Sequence, residues 1–533
     1  KISIISCKTH FICTAPAVLE DRAVTLDNWL DEWWLNTAYL EARKTLLVYS
    51  SPGVFLPAQK FNSPDDQYRF IAKLLLGTLE YKGLIDNDKL PREKMGKHPL
   101  DMGQYKMVLG TSRIPLPVRD KLSFNGDSRH IIVLKNYSAR FFFSLFCFFL
   151  RKSEFYLFPR KYVIKRRMTY MRFDNYSLCF LVPTYILLIS DKTNEKHLKD
   201  IEKSLIAVCM DNPLNVWKLP NDDARRTFVG EQALHGGGPE INGGNRWYDK
   251  TIQIIVGADG LAGVSYEHTP ADGGPVAVLV DYLIDYVYEF LYLLFILNCF
   301  LLVANVDLNC FKYAKYGNTF IKSFRLSPDS YIQMAMQYAF YRLYKLPGAT
   351  YESAATRMYK AGRTEVIRSS SLESVMFCKA MLNLNISSQD KVKALHRAII
   401  AHKKYAVEAL QGYGVDRHLL GLKLAAIESG VQLHKLYSDP SFTRSAHMRM
   451  STSQVNLESD VFMCYGPRVD DGYAMCYNPR AKNINFALAA FEKHIDTSSA
   501  KYREAMELSL QEMHDLLLED KKKKDKHEHK PVL

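Results

Sequence analysis

Residues 290–306 read FLYLLFILNCFLLVANV, about 17 nearly continuous apolar positions interrupted by Asn298. A spanning helix needs roughly that length as its minimum, so this run decides between two classes of fold. A second run, 141–150 (FFFSLFCFFL), is too short to span. Three readings compete for both: a membrane anchor, a buried core element, or sequence foreign to the fold, as an error in the gene model would give. Residues 141–180 hold 14 aromatics in 40 positions, against 12% for the whole chain, with neither helical nor strand periodicity. Translated AT-rich non-coding sequence has that composition, and the foreign reading is favoured.

Charge narrows the function classes. Seventy Lys+Arg against 57 Asp+Glu leave +13, which ordinarily suggests an anionic partner. Eight basic side chains against Glu154 give residues 151–173 a net +7, and six lysines against Asp525 and Glu528 give the end of the chain from Lys521 a net +4. The remainder is close to neutral, so nucleic-acid binding rests on charge alone and is the weak reading. Ten cysteines without any C-x-x-C pair resemble neither a disulfide scaffold nor a zinc module; free, mostly buried thiols in a reducing compartment are expected. The chain opens at Lys1 and reads as a fragment or processed product, and Pro531-Val532-Leu533 is not an S-K-L-type signal.

The 533 residues allow two or more domains. Residues 26–72 read as helical, from the spacing of Trp33, Trp34, Leu35, Ala38 and Tyr39. Residues 130–134 and 251–256 read as buried strands, the second before an Ala258-Asp259-Gly260 turn. Residues 327–346, 391–430 and 498–518 are helical, and 448–453 and 461–465 are strands. Helices and strands alternate without strict βαβ order, which predicts an α/β protein with mixed sheets.

The common catalytic fingerprints are missing: no G-x-G-x-x-G, Walker A loop, H-E-x-x-H or G-x-S-x-G. His235-Gly236-Gly237-Gly238 reads as a tight turn. The polar-rich segments are NRWYDK (245–250), YEHTPADGGP (266–275), LSPD (326–329), TYESAATRMYKAGRTEVIRSS (350–370), GVDRHLLGLK (414–423), STSQV (451–455) and YGPRVDDGYAMCYNP (465–479). Taken alone, His268 is a structural or solvated histidine or a general base for a thiol or alcohol. Ser453 is an ordinary strand serine or a donor to an oxyanion. Arg417, in an apolar helix, needs an anionic partner if buried, from the protein or from a substrate.

Together these segments resemble the choline/carnitine acyltransferase family, most closely its carnitine-using, short-chain members, over about four-fifths of the chain. The resemblance implies two α/β domains of coenzyme A-dependent acyltransferase type, with the active site in a tunnel between them. It implies reversible transfer of a short acyl group, acetyl first, between coenzyme A and the carnitine hydroxyl. His268 would be the general base and Ser453 the oxyanion donor, without a covalent acyl-enzyme. Tyr39, Thr364 and Arg417 match the residues that meet the carnitine carboxylate, Tyr351 and Ser353 match further carnitine positions, and Tyr465 offers a face to the quaternary ammonium. Lys322, Asp329, Lys403 and Gln454 match the coenzyme A site. Lys403 stands where Arg is common, and Asn318 where Lys is expected. Met463 would close the acyl pocket to longer chains.

The resemblance implies carnitine and acyl-coenzyme A as partners, no tightly bound cofactor and no metal. It also implies no nucleic acid, a monomer, and the mitochondrial matrix or peroxisome as location; membrane association is not favoured. Residues 138–200 and 284–315 bear no likeness to the family, and helices before about Asp21 are missing. The expected division is therefore 1–290 with His268, 291–315 as an aberrant apolar linker, 316–519 with the coenzyme A and carnitine sites, and 520–533 as a basic tail. An inactive or membrane-anchored product is one alternative; a medium-chain carnitine or a choline acyltransferase is the other.

Overall fold

The computed structural model describes residues 10–42, 50–128, 130–135, 138–142, 185, 189–214, 221–238, 241–288, 306–492 and 494–528. The basic stretch 151–173 and the apolar run 290–306, apart from Val306, lie outside them. Among the described residues no helix is long and apolar enough to cross a membrane. Five described cysteines, Cys209, Cys310, Cys378, Cys464 and Cys476, are buried thiols outside any disulfide.

One compact unit comprises Trp34–Phe311 and Val455–Gly466. Its sheet runs in the order Met463–Cys464, Gly53–Leu56, Ala262–Tyr266, Ile252–Gly257, Ile206–Asp211, Ile131–Lys135, Ser138–Phe142. The strands expected at 251–256 and 130–134 are the fourth and sixth of these. Ile206–Asp211 pairs in parallel with both its neighbours, and the remaining pairs are antiparallel, so the sheet is mixed. Each residue of Ile206–Asp211, Ile252–Gly257 and Ala262–Tyr266 is buried, as in a sheet covered on both faces. The helix Asp222–His235 lies so close to the sheet that a Cβ on Gly53 would stand 2.6 Å from the backbone of Ala233 and Leu234. That helix ends where Gly236, Gly237 and Gly238 take φ of +78°, +70° and +118°, which makes the triple glycine the tight turn it was read as.

The helical reading of 26–72 is corrected. After Asp31–Leu35 and a π-helical turn Asn36–Leu40, the chain forms the strand Gly53–Leu56 before the helix Pro64–Asp86 begins. That helix starts sharply: Ser63 and Asp66 form a capping box around Pro64. The four strand residues are all buried, so no alternation marked them as a strand.

The other unit comprises Lys1–Trp33, Lys312–Gln454 and Pro467–Leu533. Its sheet includes, in order, Ile484–Phe491, Tyr473–Pro479, Met450–Gln454, Thr350–Ala355 and Thr364–Ile367. Met450–Gln454 is parallel to both its neighbours. The helices Pro328–Tyr344, Leu372–Leu382, Ser388–Leu410 and Ser499–Glu528 pack together.

Three further expectations change here. Residues 391–430 form two helices, Ser388–Leu410 and Val415–Glu428, separated at Gly412 with φ +79° and at Gly414. Residues before Asp21 do contain a helix, His10–Thr25, whose Ala15 and Leu19 share a core cluster with Trp33, Ala425 and Ala426. The last helix runs through Glu528, so much of the lysine-rich tail is helical. The two units also do not follow a single cut in the chain. His10–Thr25 packs on Val415–Glu428, and Met463–Cys464 pairs with Gly53–Leu56.

Candidate functional site

His268 stands two residues past the end of the strand Ala262–Tyr266. Backbone bonds from Tyr266 N–H to Pro52 (3.0 Å), Glu267 N–H to Thr251 (2.9 Å) and His268 N–H to Ser50 (2.8 Å) extend the sheet through the histidine and fix its place. Beyond it, Gln104 holds Asp272 twice, accepting from its N–H at 2.8 Å and donating to its carboxylate at 3.1 Å. The imidazole is half-buried, and its ring packs against Tyr39 (centroids 5.6 Å apart) and Tyr266 (5.9 Å). A histidine oriented by two aromatic rings and partly open to solvent can exchange a proton with a small molecule beside it.

Met463 belongs to the same unit and is buried in the short strand beside Gly53–Leu56. The Tyr266 hydroxyl lies 3.9 Å from the Met463 Sδ, so one aromatic ring separates that methionine from His268. A Cβ on Gly273 would meet both, at 3.3 Å and 3.4 Å, and the missing side chain leaves that corner to them. Tyr465, two residues on, is half-buried.

In the other unit, strand pairing puts Tyr351, Ser353, Thr364 and Ser453 on one face of the sheet. Tyr351 pairs with Ser451, two residues before Ser453; Ser353 pairs with Val366, two residues after Thr364. Arg417 reaches this face from the helix Val415–Glu428 and is only 7% exposed. Its Nε donates to the Thr364 carbonyl at 2.8 Å, and its NH2 lies 3.2 Å from the Tyr351 hydroxyl and 3.3 Å from the Thr364 hydroxyl. The two hydroxyls are 3.3 Å apart. The Arg468 guanidinium sits 4.4 Å from the Tyr351 ring centroid. Burial pushes the Tyr351 phenol up, but Arg417 and Arg468 outweigh it and hold the phenol below its usual range. The result is a buried, positively charged corner with hydroxyls, suited to a carboxylate.

The opposite face carries Glu352, Thr452 and Gln454. His402 lies 2.7 Å from the Glu352 carboxylate and 3.0 Å from the Ser330 hydroxyl, while Ser369 donates to Glu352 at 2.5 Å. Gln333 donates to Thr452 and Tyr477, both at 3.0 Å, and Tyr477 donates to Asp329 at 2.5 Å. Burial, and then the neighbouring Glu352, raise the Asp329 carboxyl to about 6. Burial opposes the charged form of His402, but Glu352 and Asp329 hold its pKa above the usual value. Asp329, Glu352 and His402 are the one group of three among the described residues that could ligate a metal; Tyr477 already donates to Asp329, and His402 and Ser369 already bond Glu352.

Asp329 sits at the start of the helix Pro328–Tyr344, capped by Ser327, within the helix expected at 327–346. Lys322 and Lys403 are exposed, and Asn318 donates to the Pro479 carbonyl at 2.7 Å. The predicted residues therefore form three groups: His268 with Tyr39 and Met463; Tyr351, Ser353, Thr364, Arg417 and Ser453; and Asp329 with Gln454 on the reverse face. Tyr266, Glu352, His402 and Arg468 escaped the sequence reading, although three of them stand inside the quoted segments as neighbours of predicted residues.

The model of the choline/carnitine O-acyltransferase family matches residues 16–153, 183–291 and 298–508. The match covers parts of 138–200 and 284–315 that showed no likeness by motif, and corrects that expectation; the structure forms Ser138–Phe142, Lys192–Lys203 and Val306–Tyr313 there. Carnitine O-acetyltransferase of Columba livia is 39% identical over 94% of this chain and 85% of that protein, and that of Homo sapiens is 38% identical with the same coverage. Choline O-acetyltransferase of Danio rerio is 35% identical over 93% of this chain and 84% of that protein. The chain belongs to the choline/carnitine O-acyltransferase family and is an acyltransferase.

Proposed function

We propose that the protein transfers a short acyl group, acetyl first, reversibly between coenzyme A and the hydroxyl of carnitine. The observation that carries the choice of alcohol is the cluster of Arg417, Tyr351 and Thr364. Choline has no carboxylate, and a buried guanidinium with two hydroxyls and a second Arg nearby gains nothing from it. Carnitine brings a carboxylate that these donors can meet.

In this reading His268 takes the carnitine hydroxyl proton as the oxygen attacks the thioester carbonyl. The tetrahedral intermediate carries its charge on the former carbonyl oxygen, toward which Ser453 donates its hydroxyl, with the trimethylammonium group of the substrate adding positive potential. Collapse breaks the carbon–sulfur bond, and the coenzyme A thiolate recovers the proton from His268. The alcohol attacks directly, so no acyl-enzyme forms. Tyr39, Ser353 and Tyr465 complete the carnitine site, the last offering a ring face to the ammonium. Lys322 and Lys403 serve the phosphates of coenzyme A, with Asp329 and Gln454 along its length. Met463, buried against Tyr266, limits the acyl chain.

Thiol release from acetyl-CoA with carnitine, and separately with choline, tests the proposal. Carnitine is expected to be turned over and choline to be poor; equal use of both would remove the argument from Arg417.

A further inference from the structure

Arg113 lies in the strand Thr111–Ile114, is 2% exposed, and directs each arm of its guanidinium at the surroundings of His268. NH1 donates to the Thr269 hydroxyl at 3.1 Å and lies 3.6 Å from the Glu267 carboxylate, so a single nitrogen addresses both chain neighbours of the histidine. NH2 donates to the Tyr39 carbonyl at 2.8 Å, and the Tyr39 ring is the one packed on the imidazole. Nε donates to Asp120 at 2.8 Å. The Asp120 N–H in turn donates to the Leu40 carbonyl at 3.0 Å, and its second carboxylate oxygen accepts from Leu116 N–H at 3.0 Å. Glu267 and Thr269 are bonded to each other through the Thr269 hydroxyl and N–H, which closes the loop around His268.

We infer that Arg113 is a positioning residue for the acyl transfer: its three-way fork ties the side chains of both chain neighbours of His268 to the turn that presents Tyr39, and so sets the imidazole and the Tyr39 ring relative to each other. This rests on the proposed roles of His268 as base and Tyr39 as a carnitine residue. The geometry asks for arginine in particular. Thr269 and Glu267, the Tyr39 carbonyl and Asp120 lie in three directions, which a planar fork of five N–H groups meets at once and a lysine ammonium on a flexible stem does not. Burial makes the arrangement rigid, because each of these polar groups would be costly to leave unpaired. A histidine displaced by even an ångström from its reacting position loses rate, on the order of 100-fold, through geometry alone.

The test uses Arg113→Lys, which keeps the charge among Asp120 and Glu267 and removes the fork, with His268→Ala beside it. Thermal melting and circular dichroism measure the folded fraction, and kinetics are corrected for it. The expected result is a fall in kcat of about 10- to 100-fold and a raised carnitine KM, with the acetyl-CoA KM unchanged. Arg113→Ala is expected to recover part of its kcat when guanidinium is added and none with added ammonium. A folded Arg113→Lys enzyme with wild-type kcat and carnitine KM overturns the inference while His268→Ala is inactive, and leaves the proposed chemistry standing. A loss of kcat that vanishes on correction for folded fraction, with both KM values unchanged, shows a structural role only and also overturns it. Activity surviving in His268→Ala removes the mechanism on which both rest.

Discussion

Replacing Arg417 by Asn removes one positive charge and the hydrogen bonds at 2.8, 3.2 and 3.3 Å that tie the guanidinium to Thr364 and Tyr351. A hydrogen bond to a charged group contributes ~1.5–3 kcal/mol net. At 1.4 kcal/mol per factor of ten, its loss corresponds to a rise of about 10- to 140-fold in the carnitine KM. The fold should tolerate the change. The neighbouring Glu365 carboxyl is pushed up by burial against the opposing charge of Arg417, so without Arg417 it is inclined to keep a proton rather than stand as an unpaired buried anion. The assay follows thiol release while carnitine varies at saturating acetyl-CoA, then the reverse. The carnitine KM should rise in that range with the acetyl-CoA KM within about twofold, since a charge that meets only the carboxylate adds nothing to binding of the other substrate. An equal rise in both, or an unmoved carnitine KM, refutes the reasoning.

Met463→Gly should open the space beside Tyr266 and give activity with octanoyl-CoA, measured by the same assay; emptying this buried site should also cost ~2–5 kcal/mol of stability in urea unfolding. His235 is fully buried, and burial, with the Arg246 charge beside it, pulls its pKa down to about 3. The unfolded chain takes up that proton below ~6.5 and the folded one only near 3, so this group destabilises the fold progressively as pH drops. At pH 4.5 the difference is worth ~3 kcal/mol, and His235→Phe should shrink the stability gap between pH 7 and 4.5 by about that amount. Identical pH slopes for the two proteins would contradict it.

What was legible in the sequence was largely local. The strands at 130–134 and 251–256 lie in uninterrupted β-rich runs, and the helix expected at 327–346 is present as Pro328–Tyr344, its start fixed locally by Ser327 as cap and Pro328 in the first turn. Arg417 stands out as a charged residue in an otherwise apolar helix, whereas Thr364 came only from the family resemblance; the structure joins both with Tyr351. The strand Gly53–Leu56 was missed because four residues buried on both faces carry no alternation, and the aromatic spacing upstream mimicked a longer helix. The division of the chain failed to follow a single cut for a different reason. Met463–Cys464 pairs with a strand some 400 residues earlier, and His10–Thr25 packs beside Val415–Glu428, contacts that no local pattern encodes. Arg113 was invisible on the same ground: Thr269 is 156 positions away. The charge of +13 resolves into a stretch outside the described residues and a helical, lysine-rich end, so it says little about the site.

The most direct test compares thiol release from acetyl-CoA plus carnitine by the unaltered enzyme and by His268→Ala, with choline as the competing alcohol. A positioned general base contributes about 10²- to 10⁴-fold, so the variant should lose at least that much kcat while still binding acetyl-CoA, and the unaltered enzyme should prefer carnitine. Undiminished turnover in His268→Ala, or preference for choline, would contradict the account.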